Sequence, residues 1–144
     1  MKALFAGSFD PFTIGHKDIV DRLSSMFSEI VIGVGCNADK ANFGEVSQRV
    51  DSIRSIFSAN PKVSVKSYEG LTVDFCRSEE CDIMIRSVRS LKDFEYERDI
   101  AEANRRLSGI ETLLLFARPE LSHISSSLVR ELQRYGKDVS SFLP

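Results

Sequence analysis

Ten residues near the amino terminus, Gly7-Ser8-Phe9-Asp10-Pro11-Phe12-Thr13-Ile14-Gly15-His16, have the types and order needed to hold phosphate. A glycine turn with a hydroxyl follows the apolar run Ala3–Ala6, and a Gly-His pair then opens an amphipathic stretch. Helix N-termini present unpaired N–H groups and a partial positive charge, so anions settle there. Two more clusters share this character. Arg86-Ser87-Val88-Arg89 ends the apolar run Ile83–Ile85, and Ser125-Ser126-Ser127 follows the run Thr112–Phe116 and opens another amphipathic stretch. Lys40, beyond the apolar run Glu29–Val34, is a candidate fourth contributor.

Five alternations of strand and helix are needed to position these groups. Leu4–Ala6 leads to a helix over 16–27, where Ile19, Val20, Leu23, Met26 and Phe27 recur on one face. Glu29–Val34 leads to a helix near 46–58, with Val46, Val50, Ile53, Ile56 and Phe57 as its stripe. Val63–Lys66 precedes a short helix near 72–79, and Asp82–Arg86 precedes a long one near 91–108 that Ser90 and Asp93 would cap. Thr112–Phe116 precedes the last, Ser126–Tyr135, stopped by Gly136. Continuous apolar runs such as Ile30-Val31-Ile32 suit strands buried on both faces. The fold class expected is α/β: one doubly wound, Rossmann-like domain over 1–144 with a five-stranded parallel sheet. Ligands of such sheets lie at the carboxyl ends of the strands, which puts all three clusters on one edge.

Each cluster also has a plainer reading. Ser8 and Thr13 serve as turn and cap residues in many loops. Arg86 and Arg89 could pair with Asp82, Asp93 or Glu97 in a solvated ion network, and three serines at a helix start are commonly caps. Independent plain readings have no reason to converge on one edge of one sheet. Their convergence points to a polyphosphate site.

Composition limits the partners. A length of 144 residues suits one domain that buries roughly 70% of the surface its unfolded chain exposes. Net charge is −2, so no global basic field advertises nucleic acid. No apolar run approaches the ~20 residues that span a bilayer and no signal peptide is evident, so the expected location is the cytoplasm, away from membranes. Cys36, Cys76 and Cys81 form no C-x-x-C pair, which argues against a zinc site or a disulfide framework and makes Cys76 and Cys81 core residues.

No G-x-x-x-x-G-K-[ST] loop follows the first strand, and G-x-G-x-x-G is absent there, although Gly33-Val34-Gly35 gives a partial echo. Thr13-Ile14-Gly15-His16 instead resembles the T/H-x-G-H signature of the nucleotidyltransferase superfamily. Gly7-Ser8-Phe9-Asp10-Pro11 with Asp18, then Ile85-Arg86, Arg89 and Asp93-Phe94-Glu95-Tyr96-Glu97, then Ile124-Ser125-Ser126-Ser127-Leu128-Val129-Arg130-Glu131, resemble the phosphopantetheine adenylyltransferase family in order and spacing. The resemblance spans nearly the whole chain.

That resemblance implies transfer of AMP from ATP to 4′-phosphopantetheine, giving dephospho-coenzyme A and pyrophosphate, with magnesium and in a homohexamer. It implies that Ser8, Lys40, Thr72 and Arg86 bind phosphopantetheine. It assigns ATP to Ser8, Phe9, His16, Ser87, Val88, Arg89, Glu97, Leu121, Ser122, His123, Ile124, Ser125, Ser126 and Ser127. The nucleophile and the α-phosphate are both anions, and each like-charge pair at about 4 Å costs about 4 kcal/mol at an effective dielectric near 20. Charge neutralisation and in-line positioning are then the main tasks, with His16 the donor to the α-phosphate in either its neutral or its cationic form. Three departures stand out. Ser87 replaces the glycine of R-G-x-R, and the loop Asn37–Phe43 is one residue shorter than N-P-x-K-K-P-x-F. The chain also ends at Phe142-Leu143-Pro144, where the family generally continues into another helix. Rival readings are a nucleotidyltransferase for nicotinate mononucleotide or a phospho-alcohol, and a nucleotide-binding regulator without turnover.

Overall fold

A computed structural model describes residues 1–36 and 43–144, so Lys40 and its loop lie outside the described residues. Five strands, β1 (Lys2–Gly7), β2 (Glu29–Gly35), β3 (Val63–Tyr68), β4 (Ile83–Val88) and β5 (Glu111–Phe116), form one sheet in the order β3-β2-β1-β4-β5. Every pairing is parallel. The helices are α1 (Ile14–Met26), α2 (Phe43–Ile56), α3 (Thr72–Ser78), α4 (Leu91–Ser108) and α5 (Ser126–Arg134). Alternation along the strands sorts the core onto two faces. Phe5, Ile30 and Ile32 pack with Ile19, Val20 and Leu23 of α1 and Val50 and Ile53 of α2. Leu4, Ala6, Val31 and Met84 pack with Val73 and Cys76 of α3 on the opposite face. The expected doubly wound α/β sheet is what the chain forms.

Chain order reverses between β1 and β4, the place where such sheets bind ligands. Register shows why a crevice opens there. β1 and β2 stay paired from Lys2↔Glu29 to Gly7↔Val34, whereas β1 and β4 pair only at Ala3↔Ile83, Leu4↔Met84 and Phe5↔Ile85. Beyond Phe5 and Ile85 the two strands part.

Helix boundaries differ from expectation by a few residues, for local reasons. α1 starts at Ile14 rather than His16 because Thr13 and His16 cap each other. The Thr13 hydroxyl accepts the His16 N–H at 3.3 Å, and the His16 ring accepts the Thr13 N–H at 3.0 Å. Ser90 caps α4 as expected, accepting the Asp93 N–H at 3.2 Å, but the Asp93 carboxylate turns to Arg89 instead. The Gly33-Val34-Gly35 echo also resolves. A Cβ on Gly33 would lie 2.8 Å from the Phe75 ring and 3.2 Å from the Tyr68 ring, so this glycine admits aromatic side chains rather than phosphate. Cys76 and Cys81 are free and buried, as expected of core residues.

Candidate active site

The parted ends of β1 and β4 floor a cavity of about 270 Å³. The turn after β1 brings Ser8, Phe9 and His16 to it. β4 and the turn before α4 bring Arg86, Ser87 and Arg89, α4 brings Glu97, and the segment entering α5 brings Leu121, Ile124 and Ser125–Ser127. Three clusters far apart in sequence thus share one cleft.

His16 is held in a defined state. Its Nδ1 accepts the Thr13 N–H at 3.0 Å, so the ring proton of the neutral form sits on Nε2. Phe9 meets the ring edge-on at 5.0 Å between centroids, and Phe12 lies at 5.3 Å. Burial, then the charges of Arg89 and Arg86, push its pKa down from 6.5 to about 4. At neutral pH His16 is therefore an uncharged donor through Nε2, which resolves the choice left open by sequence.

Arg86 occupies the point where β1 and β4 separate. Its Nε and one terminal nitrogen each donate to Glu97 at 2.7 Å, and the other terminal nitrogen donates to the Ala6 carbonyl at 2.6 Å. Burial opposes the arginine's charge, but the Glu97 carboxylate outweighs it and raises the pKa. Glu97 is only 7% exposed, so this pair is not the solvated network of the plain reading. Arg89 is different. It pairs with Asp93 at 3.1 Å near the surface and reaches the Ile124 carbonyl at 3.4 Å, linking the β4 turn to the serine run.

The three serines divide their work. The Ser125 hydroxyl caps α5 by accepting the Leu128 N–H at 3.0 Å. Ser126 donates to the Pro11 carbonyl at 2.7 Å and so ties α5 to the β1 turn, while Ser127 accepts from Arg130 at 3.2 Å. With the Leu128 amide taken by that cap and the Val129 amide by the Ser125 carbonyl, the Ser126 and Ser127 amides are the ones α5 can offer a ligand.

Four of the residues expected at the site do not line this cavity. Val88 is buried in the core, and its carbonyl accepts the Ala117 N–H at 2.8 Å. The Ser122 hydroxyl donates to the Pro119 carbonyl at 3.0 Å, and His123 faces Phe142 at 6.3 Å between rings. Thr72 stands at the start of α3, its hydroxyl 2.8 Å from that of Tyr68. Arg130, named above as part of the family resemblance but given no role, also lines the cavity. Its signal is its place one helical turn after Ser126, on the same face of α5.

Residues 4–132 match the cytidylyltransferase-like family. A phosphopantetheine adenylyltransferase of Bacteroides thetaiotaomicron is 48% identical over 143 residues, covering 99% of this chain and 95% of the relative. One of Porphyromonas gingivalis is 49% identical over 142 residues, covering 99% and 93%. A solved structure of a putative nicotinate-nucleotide adenylyltransferase from Vibrio parahaemolyticus superposes with a TM-score of 0.66 at 17% identity, covering 99% of this chain and 92% of that one. At that identity the likeness is one of fold.

Proposed function

The chain belongs to the cytidylyltransferase-like family, and within it to the phosphopantetheine adenylyltransferases, and from that premise we propose how its cleft works. It transfers the adenylyl group of ATP to 4′-phosphopantetheine, giving dephospho-coenzyme A and pyrophosphate. The acceptor phosphate is already ionised and needs no general base. It attacks the α-phosphorus in line, the bond to the bridging oxygen of pyrophosphate breaks, and negative charge builds on the α-phosphate oxygens. His16 Nε2–H donates to those oxygens, and as a neutral group it does so without giving up a proton. One observation carries this reading. A neutral imidazole donor, two arginines and a helix N-terminus converge on one cavity from three distant parts of the chain.

Arg86 faces the phosphopantetheine phosphate with the donors that Glu97 and Ala6 leave free, and Ser8 is shared by both substrates. Lys40 and Thr72 complete the acceptor side. Phe9, Ser87, Arg89, Leu121 and Ile124–Ser127 hold ATP, and Val88, Ser122 and His123 serve through backbone or outer contacts. Glu97 borders the ATP side of the cavity and also grips Arg86 with both carboxylate oxygens. Magnesium fits the cleft as a companion of ATP. Among the described residues no group of three or more His, Cys, Asp or Glu side chains could hold an ion. An ion that kept several waters and took its other ligands from the nucleotide would need none. Bound with ATP it would offset charge on the outer phosphates, which Ser127 and Arg130 would also engage.

The protein acts as a homohexamer in the cytoplasm. Leu91, Tyr96 and Leu107 on α4 and Phe116 at the edge strand are large apolar side chains left in solvent, which self-association would cover. No helix among the described residues is long and apolar enough to cross a membrane. The deciding experiment measures pyrophosphate release from ATP and magnesium with each acceptor in turn. Release with phosphopantetheine and not with nicotinate mononucleotide is expected. ATP binding without release for any acceptor would overturn the reading in favour of a regulator.

A further inference from the structure

The turn that seats His16 contains a residue in a conformation it would not adopt alone. Phe9 has φ +48°, in the left-handed region that side chains other than glycine seldom occupy. Such a conformation persists where the surroundings over-determine it. Here they do so from both sides. Arg49 of α2 donates to the Ser8 carbonyl, immediately before Phe9. Arg130 of α5 donates to the Asp10 carbonyl, immediately after it, at 2.5 Å. The ring of Phe9 is 3% exposed and lies against Gly7, where a Cβ would approach to 3.1 Å. Pinned in that place, it packs edge-on against His16.

The two arginines are not equivalent. Arg130 lines the substrate cavity and can touch a phosphate itself. Arg49 lines a separate cavity of about 610 Å³ behind the turn, formed with Pro11, Phe12 and the chain end at Leu143 and Pro144. Any influence of Arg49 on chemistry must therefore travel through the backbone it holds. We propose that Arg49 is a positioning residue for adenylyl transfer, fixing the left-handed Phe9 turn so that the Phe9 ring holds His16 at the site of reaction. This rests on the role given to His16 above. A misplacement of about 1 Å in a reacting constellation costs on the order of a hundredfold in rate.

The test compares wild type with Arg49→Met and Arg49→Lys, the latter keeping one donor for the Ser8 carbonyl. Two readouts are taken: steady-state pyrophosphate release, and the ¹⁵N and ¹H resonances of the His16 ring in the substrate-free protein. In Arg49→Met, kcat is expected to fall by ten- to a hundredfold while KM for ATP moves less than about threefold, since the other nucleotide contacts stay. The His16 resonances should shift with it, and Arg49→Lys should restore part of both. A folded Arg49→Met protein with kcat within about twofold of wild type would overturn the proposal. So would a fall in kcat with His16 resonances unmoved, because the loss would then come from elsewhere. Should Arg49→Met fail to fold, Arg49→Lys decides by the same two readouts: an intermediate fall with shifted resonances supports the clamp, and unchanged values refute it. The ring resonances need no substrate. A wild type inactive toward phosphopantetheine would therefore count against the acceptor, while shifted or unmoved resonances would still support or refute the clamp.

Discussion

Lowering the pH should destabilise this protein through His16 in particular. Folding pushes that pKa down from 6.5 to about 4, first by burial and then by the charges of Arg89 and Arg86. The sign follows from which state binds the proton. Between those two values the unfolded chain takes a proton that the folded chain refuses, so stability is complete above about pH 6.5 and drains away as pH falls toward 4. At about 1.4 kcal/mol per pH unit the loss approaches about 3 kcal/mol, an upper bound because the ring edge opens on the cleft. The assay is urea unfolding of wild type and His16→Asn at steps from pH 7.5 to 4. Asparagine keeps an acceptor for the Thr13 N–H without the titrating ring, so the difference between the two curves isolates His16. That difference should shift against wild type by up to about 3 kcal/mol across the window. ¹⁵N spectra at pH 7 should show an unprotonated Nδ1 and a protonated Nε2. A His16 midpoint near 6.5, a proton on Nδ1, or a pH-independent difference between the proteins would refute the reasoning.

At the same site, His16→Ala should lower kcat by about 10²–10³ while changing ATP affinity by no more than a few-fold, as isothermal titration alongside kinetics would show. Arg86→Ala should raise KM for phosphopantetheine and also destabilise the fold by about 3 kcal/mol, because it strands buried Glu97. An unchanged KM in a folded Arg86→Ala protein would remove Arg86 from the acceptor site. Asp93→Asn should tighten ATP binding by up to about fivefold, since it frees Arg89 from an exposed pair worth less than about 1 kcal/mol. Weaker ATP binding in Asp93→Asn would show that Asp93 positions Arg89 rather than competing for it.

Much of this was legible in the sequence because strand and helix periods differ and the strand ends are marked. Ile30-Val31-Ile32 reads as a doubly buried strand and is one, with its side chains split between the two cores. The parallel-sheet rule alone puts the three polar clusters on one edge, and the cleft at β1 and β4 joins them. Other features depend on contacts between distant residues, which local patterns do not carry. Nothing near Arg86 distinguishes Glu97 from Asp82 or Asp93 as its partner; the turn of α4 does, by burying Glu97 against the strand end. No local pattern marks Arg49 or Arg130 for the β1 turn; only the fold lays them against the Ser8 and Asp10 carbonyls. Likewise Gly33 mimicked a nucleotide motif because a glycine admitting an aromatic ring and one admitting a phosphate are the same letter.

Arg86, in β4, and Arg89, in the turn after it, are held in ways that suit two different tasks at one strand end. Arg86 is locked. Both oxygens of a buried carboxylate and a strand carbonyl engage it, so three of the five guanidinium N–H groups have partners inside the protein. Moving such a group to follow a ligand would leave Glu97 buried and unpaired, at a cost of several kcal/mol. It is therefore suited to mark a fixed position for the acceptor phosphate. Arg89 is held by a surface carboxylate whose loss water readily compensates, so it can leave Asp93 for a polyphosphate at little cost. The ion pairs offset much of the positive charge while the cleft is empty, and the neutral His16 adds none. Arg130 and the α5 N-terminus, which line the same cavity, would then be the first to attract an anion. Phosphates bound beside Arg89 and Arg86 would offset the part those charges play in lowering the His16 pKa, while burial, the larger cause, and the Thr13 N–H on Nδ1 both favour the neutral ring. On the role proposed for His16, the Thr13 N–H held on Nδ1 is what keeps the proton of the neutral ring on Nε2, where it faces the cleft as a donor.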